Sequence, residues 1–580
     1  MLSTVCRYHF EGHKMALTLV LLLGGIGFLF VIGYGIYARY LEKNVVKPDP
    51  NTRTPAYEKY DGLDYIPART PLLWGHHFSN IAGAGPIIGP LVAVAAFGWA
   101  PTLLWILLGT VFLGAVHDYL VLSTSMRHGS VSIASVAQKT LGGRAKMILS
   151  AFLLLSLILI VAVFAATSAK TVVDEPKLVI PTFAIIPLAL FVGYGVYKLK
   201  MKLFLVSVLA TALMILLIYL GFIFPVMLPE QFLGISPTAF WVLMFFFYGL
   251  SASILPVGYL DQPRDYISTV ILFLGMGLGL VALGVAHPPM QAPAFVSFSS
   301  AKEGPLWPML FVLVACGAIS GFHSLVSGGT TAKQLRNEKY QKPIGYGAML
   351  AEGVVALMAT LLVAAGLYWR AAPGTEAYSY DLVNLLKKGW IVAFGTAYGR
   401  VANQAFSFIP FAVGSVFAML MLNAFVLTTL DTAVRLGRYI VQESAGERWH
   451  LFKNRTLTTF LVIIPAAVLA FTNSWEKIWP IFGAANQLIA ALALIVVTTY
   501  LFFSKAPTKF TLIPAIFIAL TTIGALLFKM REYLFGEKKQ YILGVTASIL
   551  VALAVLVVIE TFLCLKRISK GKREKVSQGR

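Results

Sequence analysis

The chain has 580 residues, of which 58% are apolar and only 12% charged, against roughly 45–50% and 25% in soluble domains. That balance excludes a soluble multidomain protein, and no polar stretch is long enough to fold separately, so the chain reads as one polytopic membrane domain. The formal charge of +21 does not point to nucleic acid, because Lys and Arg sit in short connections between apolar stretches, where positive charge sets topology.

At about 20 apolar residues per crossing, roughly fifteen spans are expected. They fall near 15–38, 72–99, 102–124, 147–167, 179–197, 203–224, 238–260, 267–286, 307–328, 347–369, 405–429, 456–472, 479–503, 511–529 and 541–563. The first exceeds a signal-peptide core and lacks a small-residue cleavage pattern, so it reads as a retained helix. On alternate sides the 46 Lys and Arg divide as about 32 and about 14, which places the N-terminus outside and the C-terminus in the cytoplasm. The tail from Lys566, with Arg567, Lys570, Lys572, Arg573 and Lys575, then lies near anionic membrane lipid.

The second span, from Pro71 to Trp99, carries Gly75-His76-His77-Phe78-Ser79-Asn80-Ile81-Ala82-Gly83-Ala84-Gly85-Pro86. Pro lacks a backbone donor and Gly gives up helix propensity, and unpaired peptide groups are costly in lipid. Such a break persists where protein or a wet cavity surrounds it, and paired breaks mark the binding site of a transporter. Ala82 to Pro86 is the first candidate cradle: Gly83 and Gly85 admit a ligand to the backbone around Ala82 and Ala84, and Ser79 and Asn80 offer orienting hydrogen bonds. The seventh span, Pro237 to Tyr266, is read as broken in the same way at Ser251-Ala252-Ser253-Ile254-Leu255-Pro256, with Tyr248, Ser251 and Ser253 as further substrate-binding candidates.

In the ninth span Ser320, His323, Ser324 and Ser327 follow the i, i+3, i+4, i+7 spacing of one helical face. With His76 and His77 they are candidates for ion or proton coupling, since histidine titrates near neutral pH. Acidic residues Asp118, Asp261, Glu352 and Asp431 and basic residues Arg127, Arg264, Lys333 and Arg435 fall toward the inner side. They are expected to form an inner gate of ion pairs, with Asp118 and Arg127 as one pair.

Two broken spans, second and seventh, open blocks of five. An odd number of spans inverts the second block, so the expected fold is an all-α polytopic five-plus-five inverted repeat with one helix before it and about four after. The expected divisions are 1–71 (N-terminal helix and cytoplasmic loop), 72–224 and 238–429 (the repeats), 430–565 (accessory helices) and 566–580 (basic tail). Neither break carries a midplane carboxylate, so free amides favour an anionic end: a small monocarboxylate or a peptide C-terminus.

Cys6, Cys316 and Cys564 are too far apart for a metal or disulfide pattern. Neighbours His117 and Asp118 diverge by about 100° on a helix and make no metal site alone. No cofactor is expected. There is no His-Glu-x-x-His and no Gly-x-Ser-x-Gly in a plausible setting, which argues against an enzyme. A carrier is the first expectation; a channel is the chief alternative to it, and a nutrient sensor is a lesser one because no soluble output domain is appended.

The motif beginning at Gly75 resembles the signature of the carbon starvation protein A family. So do His117-Asp118-Tyr119, Ser125-Met126-Arg127-His128-Gly129, Gly317-Ala318-Ile319-Ser320-Gly321-Phe322-His323-Ser324-Leu325, Leu427-Thr428-Thr429-Leu430-Asp431-Thr432-Ala433 and Phe482-Gly483-Ala484-Ala485-Asn486-Gln487-Leu488. The resemblance implies a secondary transporter of a prokaryotic plasma (inner) membrane, associated with peptide uptake or proton-coupled pyruvate uptake. It also implies a fold like that of the amino acid, polyamine and organocation transporters. The resulting expectation is a proton-coupled importer working by alternating access, with a sodium-coupled carrier as the alternative.

Overall fold

The structure is a computed structural model and describes residues 22, 24–446, 449–472, 475–537 and 539–569. The basic tail beyond residue 569 and the first part of the N-terminal span lie outside the described residues. The described residues are mostly helical. In order come α1 (Gly24–Val46), α2 (Thr70–Ile81), α3 (Gly85–Phe97), α4 (Trp99–Arg127), α5 (Ile133–Thr140), α6 (Gly143–Asp174), α7 (Val179–Tyr197), α8 (Leu203–Ile223), α9 (Pro237–Ile254) and α10 (Asp261–Ala286). After these follow α11 (Leu306–Leu313), α12 (Ala315–Ala318), α13 (322–334), α14 (Glu338–Gly366), α15 (Leu382–Lys388), α16 (Trp390–Ala405), α17 (Phe411–Ala445), α18 (Arg455–Thr472), α19 (Trp475–Phe503), α20 (Lys509–Phe535) and α21 (Tyr541–Ser569).

Among the described residues, fourteen helical stretches are long and apolar enough to cross a membrane. The segment 306–334 supplies a further crossing in pieces. Loop contacts fix two faces. On one, Val257 donates its amide to Leu63, Ala68 to Gln334, and Arg127 reaches the Val46 carbonyl; on the other, Ala100 donates to Ala294 and Gln291 to Ala364. The first is called the near face and the second the far face. α14 runs away from the near face and α17 returns to it, so α15 and α16 both lie on the far side without crossing. The eleventh crossing therefore begins at Phe411, beyond the expected 405.

The second span is interrupted as expected. α2 ends at Ile81, residues 82–84 are unwound, and α3 restarts with Pro86 in its first turn, where a missing N–H costs nothing. The seventh span is different. Leu255 is extended (φ −66°, ψ 153°), as a residue before proline prefers, but the non-helical stretch 255–260 is the near-face connection between α9 and α10. Pro256 and Gly258 thus mark a turn between two crossings, and the interruption expected in the middle of 238–266 is not in the middle of a span.

The second internal break lies in the ninth span. Val314 leaves helical geometry (φ −99°, ψ 33°) and Ile319 is extended (φ −161°, ψ 123°), separating α11, α12 and α13. A single stripe from Ser320 to Ser327 therefore does not exist: Ser320 sits in the unwound stretch and only His323, Ser324 and Ser327 follow it. α6, with 32 residues, and α17, with 35, pack along each other, while α2 packs on α10 and α3 on α12 and α14. The division drawn at 429/430 falls inside α17, because Asp431, Arg435 and Arg438 are buried and paired instead of ending the span. Large apolar side chains of α8 such as Phe204 and Ile215 are exposed, as a lipid-facing helix requires.

Candidate functional site

The two breaks meet. A Cβ on Gly85 would overlap Cys316 Sγ, and one on Gly83 would lie 2.5 Å from Thr429 Oγ1, so only glycine permits this approach of α3, α12 and α17. Unwinding frees peptide groups, and side chains from distant elements take them up. Thr428 Oγ1 donates to the Ser79 carbonyl at 2.9 Å. At the second break Asn486 of α19 accepts the Phe322 amide at 2.7 Å through Oδ1, and the Gly321 amide donates to its main-chain carbonyl at 3.0 Å. Asn486 also bonds Ser320 Oγ, and Gln487 donates to the Phe311 carbonyl at 3.0 Å. Each break is thus held by polar side chains in place of the missing helical hydrogen bonds.

Beside the second break runs a chain of buried titratable groups. His117 Nδ1 lies 2.7 Å from Asp118 Oδ1, His323 Nδ1 lies 2.9 Å from Asp118 Oδ2, and His323 Nε2 lies 3.2 Å from Glu352 Oε2. All four side chains are fully buried. His117 and His323 both hydrogen-bond Asp118, whereas His323 Nε2 and the Glu352 oxygens face each other without a hydrogen bond, so the imidazole has one nitrogen bonded to a carboxylate and the other turned toward a second one. His77 Nδ1 is 2.8 Å from Thr331 Oγ1, and its Nε2 has no partner; the hydroxyls of Ser79 and Ser327 are likewise unpartnered, while Ser324 donates to Gly321 O. Among the described residues no group of three or more His, Cys, Asp or Glu has the arrangement to hold a metal ion.

A second cluster lies toward the near face. His76 Nδ1 is 2.7 Å from Asp265 Oδ2, which also accepts from Asn80 Nδ2 at 2.8 Å. Arg264 bridges Asp265 (2.8 Å) and Asp431 (2.6 Å), and Tyr248 donates to Asp431 at 2.5 Å. One turn further out, Arg435 pairs with Asp261 at 2.8 Å and with Asp64 at 3.1 Å, and Arg438 and Arg455 also reach Asp64. Burial pushes the Asp64 carboxyl up, but Arg438, Arg435 and Lys333 outweigh it and hold the group well below the usual carboxylate range.

These positions revise several sequence expectations. Asp118 and Arg127 do not pair: Asp118 belongs to the histidines, whereas Arg127 binds the carbonyls of Val46 and Lys47 and lies 3.7 Å from Glu338. Glu352 likewise faces His323, not a basic partner. Ser251 bonds within its own helix to Phe247 O, and Ser253 bonds Thr459, so neither lines the 82–84 break. Tyr248 joins the Arg264–Asp431 pair. Lys333 stands 3.5 Å above the Tyr439 ring. Sequence reasoning missed Asp64, Asp265 and Arg438, and gave Asn486 and Thr428 no role beyond their motifs. Asp265 follows Arg264 directly and was the one most open to notice.

The sequence profile of the carbon starvation protein CstA family matches residues 16–375 and 375–525. The chain belongs to this family. It is 32% identical to the peptide transporter CstA of Campylobacter jejuni, over 88% of this chain and 80% of that protein. It is 31% identical to the pyruvate/proton symporter BtsT of Escherichia coli, over 87% of this chain and 80% of that one. Among solved structures it is similar to a manganese transporter of Eremococcus coleocola, with a TM-score of 0.51 and 13% identity over 88% of this chain and 99% of that one. That likeness concerns the fold alone. Family membership, named relatives and fourteen candidate crossings together make the chain a multi-pass membrane transporter of a prokaryote, not an enzyme.

Proposed function

We propose that the protein imports a small carboxylate-bearing nutrient, pyruvate or a short peptide, across the plasma membrane by proton-coupled alternating access. The observation that carries this reading is the buried His117–Asp118–His323–Glu352 chain beside the place where two interrupted spans meet. A substrate carboxylate is taken by main-chain amides of residues 83–85 at the break, the Ala82 amide being bonded to the Phe78 carbonyl, and is aided by Ser79. His323, held between two carboxylates, carries the coupling proton, with His77 nearby. Arg264, Asp265, Asp431 and His76, with Asp261 and Arg435 behind them, form the inner gate, so the near face is the cytoplasmic one and the N-terminus lies outside.

The inverted repeat is also part of this reading, with changed members. α2–α3 and α11–α13 are interrupted spans of opposite direction, and each is followed by one crossing. The paired long helices are α6 and α17. The blocks then comprise 70–174 with 237–286, and 306–503, with α7 and α8 inserted as a hairpin in the first. Rocking of one bundle of these helices against the other alternately exposes the central site.

A sodium-coupled carrier is the second reading, favoured by the oxygens of Thr428, Thr429 and the Ser79 carbonyl at the first break. Purified protein in proteoliposomes separates the two. Labelled pyruvate or a labelled dipeptide is expected to accumulate under an inward proton gradient and not under a sodium gradient alone. Accumulation driven only by sodium would replace the proton reading.

A further inference from the structure

At the far face a cavity of about 160 Å³ opens between the end of α6, the start of α16 and the side of α17, with Thr167, Lys170, Asp174 and Glu175 on one wall and residues 389–392 on the other. α16 has 16 residues, starts after Gly389 at φ +146°, and has no side chain capping its N-terminus. Its first-turn amides at Ile391 and Val392 therefore face this end of the helix without a carbonyl one turn back inside it. Two independent features mark the cavity as more than a helix end. Lys170 and Asp174, 3.6 Å apart and about two-fifths exposed, set both signs of charge in its wall. Thr167, also in the wall and 4% exposed, has a hydroxyl with no hydrogen-bond partner.

We infer that this cavity is an entry site for a small zwitterion, an amino acid or short peptide. Its carboxylate takes Lys170 and the first turn of α16, and its ammonium takes Asp174. This rests on the importer reading above and adds to it the substrate class recognised at the outer mouth. Charge balance carries the choice. Lys170 and Asp174 neutralise each other, and a zwitterion exchanges that pair for two new ones. A simple anion would take Lys170 and leave Asp174 without its partner, since the next cation, Lys177, is engaged by Glu175 at 3.3 Å. Met419, also in the wall, lies on α17 ten residues before Thr429, so the cavity stands roughly 15 Å along that helix from the first break.

Trp390 is part of the wall, and its fluorescence reports occupancy independently of transport; a Trp390→Phe variant supplies the background. Glycylglycine, N-acetyl-glycylglycine and pyruvate are titrated into the full chain in detergent, as wild type, Lys170→Gln and Asp174→Asn. Uptake KM is measured in parallel. Glycylglycine is expected to bind the wild type more tightly than the other two, and to weaken roughly fivefold in each variant, as partly exposed pairs allow. KM for glycylglycine rises in step, with the maximal rate unchanged. Asp174→Asn leaves the acetylated peptide unaffected. Equal wild-type affinity for free and acetylated peptide, or unchanged glycylglycine affinity in both variants, overturns the entry site. Uptake that persists unaltered in both variants would overturn it while leaving the importer standing. Zwitterion binding that follows the expected pattern without any uptake would sustain the site and remove the importer.

Discussion

At the residue scale, the contact of Gly85 with Cys316 decides whether the two breaks can meet. A methyl group here would overlap the sulfur and force one helix away, and overpacking of this kind costs about 1–3 kcal/mol. Gly85→Ala is therefore expected to lower the melting temperature in detergent and abolish uptake, and Cys316→Gly in the same chain to restore part of both. Failure of the second change to help would mean that the methyl group acts elsewhere. Asn486→Leu removes the partner of the Phe322 amide and should destabilise by about 1–3 kcal/mol, the cost of an unsatisfied buried group, read as a lower melting temperature. The motif around Asn486 is plain in the sequence. Its role is not, because the groups it satisfies are more than 160 residues away.

Among elements, α2 joins the two polar clusters. Neighbouring helical residues diverge by about 100°, so His76 reaches Asp265 while His77 reaches Thr331 on the element that carries His323. Contacts therefore run from α13 through α2 to Asp265, Arg264 and Asp431. Replacing either Arg264 by Gln or Asp431 by Asn strands a buried charge and should cost about 3–5 kcal/mol. A double-mutant cycle on this pair is expected to give a coupling of about 0.5–3 kcal/mol, whereas Asp118 and Arg127 should show none. Additive effects at Arg264 and Asp431 would contradict their pairing. The same elements show what periodicity can and cannot reveal. Pro86 with Gly83 and Gly85 made the first break legible, and Pro256 imitated a second one because proline restricts its predecessor equally in a turn. The true second break has only Gly317 and Gly321 inside it, and an apolar pattern with two glycines is also that of an ordinary crossing.

For the whole molecule, the composition was enough to place a polytopic helical protein, and the lengths of the apolar runs were enough for the number of crossings. Which charges pair was not available from one dimension: Asp64, in the connection after α1, meets Arg435, Arg438 and Arg455 from far along the chain. This latch ties the connection after α1 to α17 and α18 on the near face. The Asp64 carboxyl is held below its unfolded value of about 3.9, so its contribution is full above that value and is lost only as pH falls through the lower folded one. Between pH 5 and 8 it is constant. Asp64→Asn should lower the melting temperature by the same amount at pH 5.5 and 7.5, and leave acid stimulation of uptake in place. A loss of that stimulation in Asp64→Asn would move proton sensing to the latch.

Proton coupling through the buried chain at the meeting of the two breaks is most directly tested in proteoliposomes, by comparing counterflow with accumulation in wild type, His323→Gln and Glu352→Gln. Both variants are expected to exchange labelled for unlabelled substrate, yet to fail to accumulate it when an inward proton gradient is imposed. Accumulation at the wild-type level in both would show that the proton takes another route and would contradict the account.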